Sequence, residues 1–236
     1  MPATLTALIT TILHRPYVFV FLAAFLTIGV LNRGLGRTLL FLLLGFTIAF
    51  LSEVSSIRNG FPYGLYHYVY ENLQGELVGY GVPLWDSLSY SFLAYAAYEY
   101  ADYFAAPPFI SAFLMVLLDV AVDPLAVRGD RWFLGHIFYY PHGGEYFGVP
   151  LTNFGGWLLV ALIILFSFRF LEGRFFKRPP PRRAPLLGPL FYWGILIFNL
   201  GITFWIGEYR LGTIGLLMHL FTAALLAMLF RRPDHA

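Results

Sequence analysis

The chain has 236 residues, of which 59% are hydrophobic and only 12% charged, and its net charge is +2. Soluble domains carry about 25% charged residues, so this composition excludes a soluble globular protein and points to a single integral membrane helical domain over residues 1–236, with no sign of a nucleic-acid partner. There is no cysteine, which excludes disulfides, thiolate metal sites and cysteine nucleophiles.

Residues 1–15 carry threonines and no clear cleavage site. They read as a short interfacial helix or lead-in rather than a signal peptide. Seven apolar stretches follow, each about long enough to cross a bilayer core: 17–31, 38–56, 84–104, 108–127, 151–171, 186–206 and 213–230. The second ends near Glu53. The third places Ser87, Ser91, Tyr95, Tyr98 and Asp102 at spacings of four, four, three and four, a polar, tyrosine-rich stripe down one helical face. Tyr95 and Tyr98 are expected inside the bundle, and Tyr100 and Tyr103 in the aromatic belt at the membrane interface.

The fourth stretch carries Asp119 and Asp123. Four residues apart on a helix, they share a face. Pro124 follows, removing a backbone donor and tending to kink or weaken the helix. A Gly-, aromatic- and His-rich connection then leads through Gly148-Val149-Pro150 into the fifth stretch, which carries Asn153 and Trp157. Residues 173–185 form a basic, proline-rich loop between the fifth and sixth stretches, read as a topology determinant or a stiff segment against anionic headgroups.

Positive charge orients the spans. With the N-terminus outside, the inner segments hold Arg33, Arg37, Arg169, Arg174, Lys177, Arg178, Arg182, Arg183, Arg231 and Arg232, against Arg15, Arg58, Arg128, Arg131 and Arg210 outside. The expected location is the cell membrane of a prokaryote, with the C-terminus inside. Connections 57–83, 128–150 and 207–212 then share the outer side, with Glu53, Asp86, Asp123, Glu145 and Glu208 near the same end. A chemical site is expected to open there.

Several chemistries can be weighed. Seven spans invite a retinal protein, but the one lysine, Lys177, lies in the basic loop and not in a late helix. His67, His136, His142 and Glu145 fall in the outer connections, and Gly143 and Gly144 disfavour the helix that would bring His142 and Glu145 together, so no metal site is expected. His14, His219 and His235 are scattered. What remains is intramembrane acid chemistry. Acids are costly in lipid and mark a functional site by default, although a hydrogen-bonded, purely structural acid pair is the plain alternative. Apolar surroundings disfavour a charged carboxyl, which can then hold and donate a proton at neutral pH, and aromatic faces stabilise a cation. These parts fit protonation of an alkene dissolved in the bilayer; a proton-coupled transporter would use the same acids.

Leu118-Asp119-Val120-Ala121-Val122-Asp123-Pro124, followed by Tyr146-Phe147-Gly148-Val149-Pro150-Leu151-Thr152-Asn153-Phe154-Gly155-Gly156-Trp157, resembles the CruF-type integral-membrane carotenoid hydratases. Glu53, the run Gly60-Phe61-Pro62-Tyr63-Gly64-Leu65-Tyr66-His67-Tyr68, and Gly81-Val82-Pro83-Leu84 fit in the same order. The resemblance implies addition of water across the terminal 1,2 double bond of an acyclic carotenoid end group, without an organic cofactor. It implies gamma-carotene-, lycopene- or bisanhydrobacterioruberin-like substrates, the lipid bilayer as solvent, and other enzymes of the pathway as neighbours.

The catalytic assignment comes from the residues themselves. Asp123 is expected to be the proton donor, Asp119 its partner or a cation stabiliser, and Glu53 and Asp86 the water-activating base or its tuner. Tyr63, Tyr66, Trp85, Tyr95 and Trp157 are expected to shape an aromatic pocket, and Asn153 and Glu145 to place the water. Arg58 or Arg128 pairing with one of these acids would instead make it structural. The rivals are a membrane carotenoid cyclase, whose product has unchanged mass, a carotenoid-binding protein, and a proton-coupled transporter, against which there is no inverted repeat or pair of broken helices.

Overall fold

The computed structural model describes residues 3–230; Arg231, Arg232 and His235 lie outside the described residues. Eight helices follow in chain order: α1 (Ala3–His14), α2 (Pro16–Arg33), α3 (Leu35–Asn59), α4 (Leu84–Tyr103), α5 (Pro108–Ala126), α6 (Leu151–Phe175), α7 (Leu187–Trp205) and α8 (Tyr209–Leu229). Their ends follow local chemistry. Prolines open α2 and α5, where a missing N–H costs nothing. Gly60 closes α3 in the left-handed conformation, φ 80°, which glycine adopts without penalty. Pro124 does not end α5: it falls in the last turn, and the helix runs through it to Ala126.

Six helices, α2, α3, α5, α6, α7 and α8, are long and apolar enough to cross a membrane, which marks an all-α integral membrane bundle. The third expected span, α4, is 20 residues long but carries Asp86, Glu99 and Asp102. It tolerates them because it is the central helix. It packs on α2, α3, α5 and α7, and every residue from 90 to 101 is buried. A helix enclosed by protein need not be apolar all round, because its neighbours and not lipid satisfy its polar groups. Its stripe turns toward α2 and α3. Ser91 meets Gly45, where an added Cβ would lie 3.1 Å from the Ser91 Cα. Tyr95 packs between Phe25 and Phe41 at ring distances of 4.7 and 5.3 Å. Tyr100, expected in the interface belt, is instead buried against Tyr192 at 4.7 Å, because α7 covers that face of α4.

The two long connections and the short 207–212 turn meet at one end. Strand β1 (His67–Tyr68) pairs antiparallel with β4 (Phe138–Tyr139), while β2 (Val78–Gly79) pairs with β3 (Val82–Pro83). Arg128 and Arg131 both bind Glu208, the former at 3.2 Å. Helix α1 is fastened to the same end: Arg15 binds Glu76 at 2.9 Å, and Thr11 accepts the Leu77 N–H at 2.8 Å. The other end is a second polar network. Arg33 binds Glu99 at 2.5 Å and Asp102 at 2.6 Å, Arg37 binds Glu172 at 2.7 Å, and Arg182 of the basic loop reaches Asp102 at 2.9 Å.

Candidate active site

Beneath the paired connections lies a cavity of about 130 Å³. Three acids reach its wall from three helices: Glu53 from α3, Asp86 from α4 and Asp123 from α5. Asn153 of α6 lines it too, with Tyr63, Tyr66, Trp85, Tyr90 and Trp157 among a mostly aromatic lining.

The acids are held by neutral donors. The Asn153 amide nitrogen donates to Asp119 Oδ2 at 2.7 Å and to Asp123 Oδ2 at 2.8 Å. Asp123 also accepts the Tyr140 hydroxyl at 3.3 Å. Ser87 donates to Glu53 at 3.1 Å, and Tyr68 to Asp86 at 2.7 Å. Asp119 is fully buried one turn along α5 from Asp123, behind Asn153 and off the cavity wall, and its Oδ1 has no partner among the described residues. None of these acids makes an ion pair among the described residues. Arg128 binds Glu208 and the carbonyls of Pro124 and Phe147, at 2.7 and 2.8 Å. Arg58 is exposed.

The local sequence explains the arrangement. Four-residue spacing puts both aspartates on the face of α5 that meets α6. Gly156 lets α6 press against the 61–68 segment: a Cβ there would lie 2.6 Å from the Pro62 carbonyl oxygen. That segment passes through a cis Phe61–Pro62 bond and delivers Tyr63, whose hydroxyl pairs with Ser52 at 2.8 Å. Trp157 stacks on Tyr90 at 4.4 Å. Trp85 donates to Glu76 at 2.7 Å and lies under the Arg15 guanidinium at 4.8 Å, so the α1 clasp fixes one wall of the cavity.

Two residues assigned to the pocket from sequence lie elsewhere. Tyr95 sits deeper along α4, enclosed by Phe25 and Phe41. Glu145 is exposed and accepts the Leu151 N–H at 3.1 Å, because the 146–149 turn folds it back onto the start of α6, where a carboxylate is favoured. Backbone N–H groups, its own and that of Leu151, hold its carboxyl below the usual range. Sequence reasoning missed Tyr68, Tyr90 and Tyr140. A signal for two of them existed. Tyr66 and Tyr68 flank His67, and Phe138 and Tyr140 flank Tyr139, the period-two pattern of a half-buried strand; the flanking residues are buried while His67 and Tyr139 face out. Burial first, then the neighbouring Asp123, pushes the Tyr140 phenol well above its ordinary value, and burial and Asp86 do the same for Tyr68, so both stay hydrogen-bond donors.

Among the described residues no group of three or more His, Asp or Glu side chains is arranged to hold a metal ion. The fold and cavity thus define a class: a polytopic helical membrane protein that holds carboxyls, unpaired with any arginine or lysine among the described residues, against an aromatic chamber. More particularly, the profile of the carotenoid biosynthesis protein family matches residues 14–222, nearly the whole chain. The protein belongs to that family and has a role in carotenoid biosynthesis. No curated protein and no solved structure matches the chain.

Proposed function

We propose that the protein is a carotenoid 1,2-hydratase of the CruF type, acting without a cofactor on an acyclic end group. One observation carries the reading: Glu53, Asp86 and Asp123 face a single aromatic cavity with no arginine or lysine in its lining, and Arg15, the cation whose charge reaches Asp86, is bound to Glu76. An acid enclosed without a counter-ion either bears several kcal/mol to stay charged or holds its proton, so three such groups converging on one cavity suit proton transfer better than holding the bundle together. A carbocation formed between them supplies the missing positive charge.

The steps balance as follows. The Asp123 carboxyl delivers a proton to C2 of the terminal double bond, leaving a tertiary cation at C1. The faces of Tyr63, Trp85 and Trp157 and the nearby carboxylates stabilise it. The oxygen of a water bonds to C1, and the proton that water loses passes to Glu53 or Asp86 and is returned to Asp123 between turnovers. Asp119 and Asn153 are positioning residues that fix the Asp123 carboxyl. General acid–base assistance of this kind contributes about 10²–10⁴-fold. Hydration is favoured over cyclisation by the cavity's polar wall: Asn153, Tyr140, Ser89 and Asn199 line it and offer sites that hold a water beside the cation, which a cyclase must exclude. The enzyme sits in the prokaryotic cell membrane, with the cavity end outside on the charge bias of the loops.

The test is expression in cells that accumulate lycopene or gamma-carotene. The reading expects a product heavier by one water. It expects Asp123→Asn to lower that product about 100-fold or more while the protein still accumulates in membranes. A fully active Asp123→Asn variant overturns the acid assignment, and a product of unchanged mass overturns hydration.

A further inference from the structure

We infer that the polyene chain leaves the cavity between α2 and α7, across a threshold made by Tyr17, Phe21 and Phe198, so that only the end group sits beside the acids. This rests on the carotenoid reading above and adds the route and the subsite for the chain. The starting point is size. A cavity of about 130 Å³ compares with an engineered cavity of about 150 Å³ that takes up benzene. It holds an end group and a water, not a polyene about as long as the hydrocarbon core is thick, ~30 Å. The rest of the chain must pass through a wall.

Three walls are closed by fixed contacts. Toward α6, Gly156 lies against the Pro62 carbonyl and Tyr90 donates to the Trp157 carbonyl at 3.0 Å. Between α5 and α6, Asn153 is bonded to both aspartates. At the polar end, β1 and β4 cover the chamber. The wall between α2 and α7 is different. Among the described residues no hydrogen bond or ion pair joins these two helices. The space is closed by rings alone: Tyr17 stacks on Phe198 at 5.6 Å, and Phe21 meets Phe198 edge-on at 5.4 Å. All three line the cavity, and none is fully buried. Outside them Phe133, 55% exposed, touches Tyr17 at 5.6 Å. An aromatic path therefore runs from the acid chamber to the outer surface. Turning Phe21 and Phe198 aside breaks no polar interaction among the described residues, Tyr17 gives up only the hydrogen bond its hydroxyl accepts from Arg15, and a polyene lying among the rings replaces ring–ring contact with ring–polyene contact of similar area.

The chain has no cysteine of its own, so the seam can be locked selectively. Purified protein carrying Tyr17→Cys with Phe198→Cys is bridged by a short bifunctional thiol reagent, either before or after incubation with lycopene in detergent, and lycopene absorbance co-eluting with the protein is read. Bridging beforehand is expected to reduce loading at least tenfold relative to the unbridged variant; bridging afterwards is expected to retain lycopene through washes that strip the unbridged sample. The pair Phe21→Cys with Phe198→Cys is treated alike, so that misfolding of one variant does not decide the outcome. Equal loading of bridged and unbridged protein in a folded pair overturns the route while leaving the hydratase reading intact. Failure of the unmodified protein to load lycopene overturns the carotenoid reading and the route with it.

Discussion

One amide nitrogen, that of Asn153, bonds both Asp119 and Asp123, at 2.7 and 2.8 Å. Replacing it with leucine keeps the approximate size of the side chain but leaves the buried Asp119 without its amide donor and the half-buried Asp123 with Tyr140 alone. Leaving buried polar groups unsatisfied costs about 1–3 kcal/mol each, so Asn153→Leu is expected to lower the thermal denaturation midpoint of the purified protein and to cut hydration more than tenfold. A variant with unchanged midpoint and activity would show that the amide does not organise the pair. This part of the site was legible in the sequence, because i, i+4 spacing and the Pro150–Asn153 run are local. Tyr68 and Tyr140 were harder, since their importance rests on pairing between residues about seventy positions apart, which no local window contains. Glu145 was misplaced for the opposite reason. It lies close in sequence to α6, but the 146–149 turn spends it on the helix start.

Elements owe their boundaries to prolines and glycines that read directly from sequence; the segment expected over 84–104 is the helix Leu84–Tyr103, which is not among the six apolar enough to cross a membrane. What sequence did not reveal is which helix lies at the centre. The acids and tyrosines of α4 looked like a stripe, yet the helix is enclosed on nearly every side, which is why Tyr95 and Tyr100 are core residues and not pocket or belt. Close approach between elements is tested at Gly156. An added methyl there meets the Pro62 carbonyl at 2.6 Å, and overpacking typically costs about 1–3 kcal/mol. Gly156→Ala is expected to lower thermal stability by that order and to reduce activity by shifting Tyr63. Normal stability and turnover would mean that the 61–68 segment gives way freely. At the polar end, burial raises the Glu208 carboxyl, but the hydrogen bond from Arg131 and the charge of Arg128 more than offset it and hold it below the usual range. A depressed carboxyl stabilises the folded form above its unfolded value, about 4.3, and loses that contribution as pH falls through the folded value. The protection of the 207–212 amides, taken as exchange relative to the intrinsic rate at each pH, is therefore expected to fall on acidification below about pH 4, and Glu208→Gln to remove that acid dependence; protection indifferent to pH would contradict the clasp.

The whole molecule has two polar ends of different character. One ties arginines to carboxylates in a network of Arg33, Glu99, Asp102 and Arg182; the other covers a chamber whose acids make no ion pair among the described residues. In the proposed reaction an oil-soluble substrate and water have to meet, and the chamber lies between the paired loops, on the side assigned to water, and the aromatic helices that would hold the substrate. The central claim is that the elements of one water, a proton at C2 and a hydroxyl at C1, are added across one terminal double bond. It is tested most directly by running the reaction in membranes suspended in deuterated, heavy-oxygen water. The account predicts a product carrying one deuterium at C2 and one heavy oxygen at C1. A hydroxyl bearing ordinary oxygen, or a product with no added oxygen at all, would contradict it.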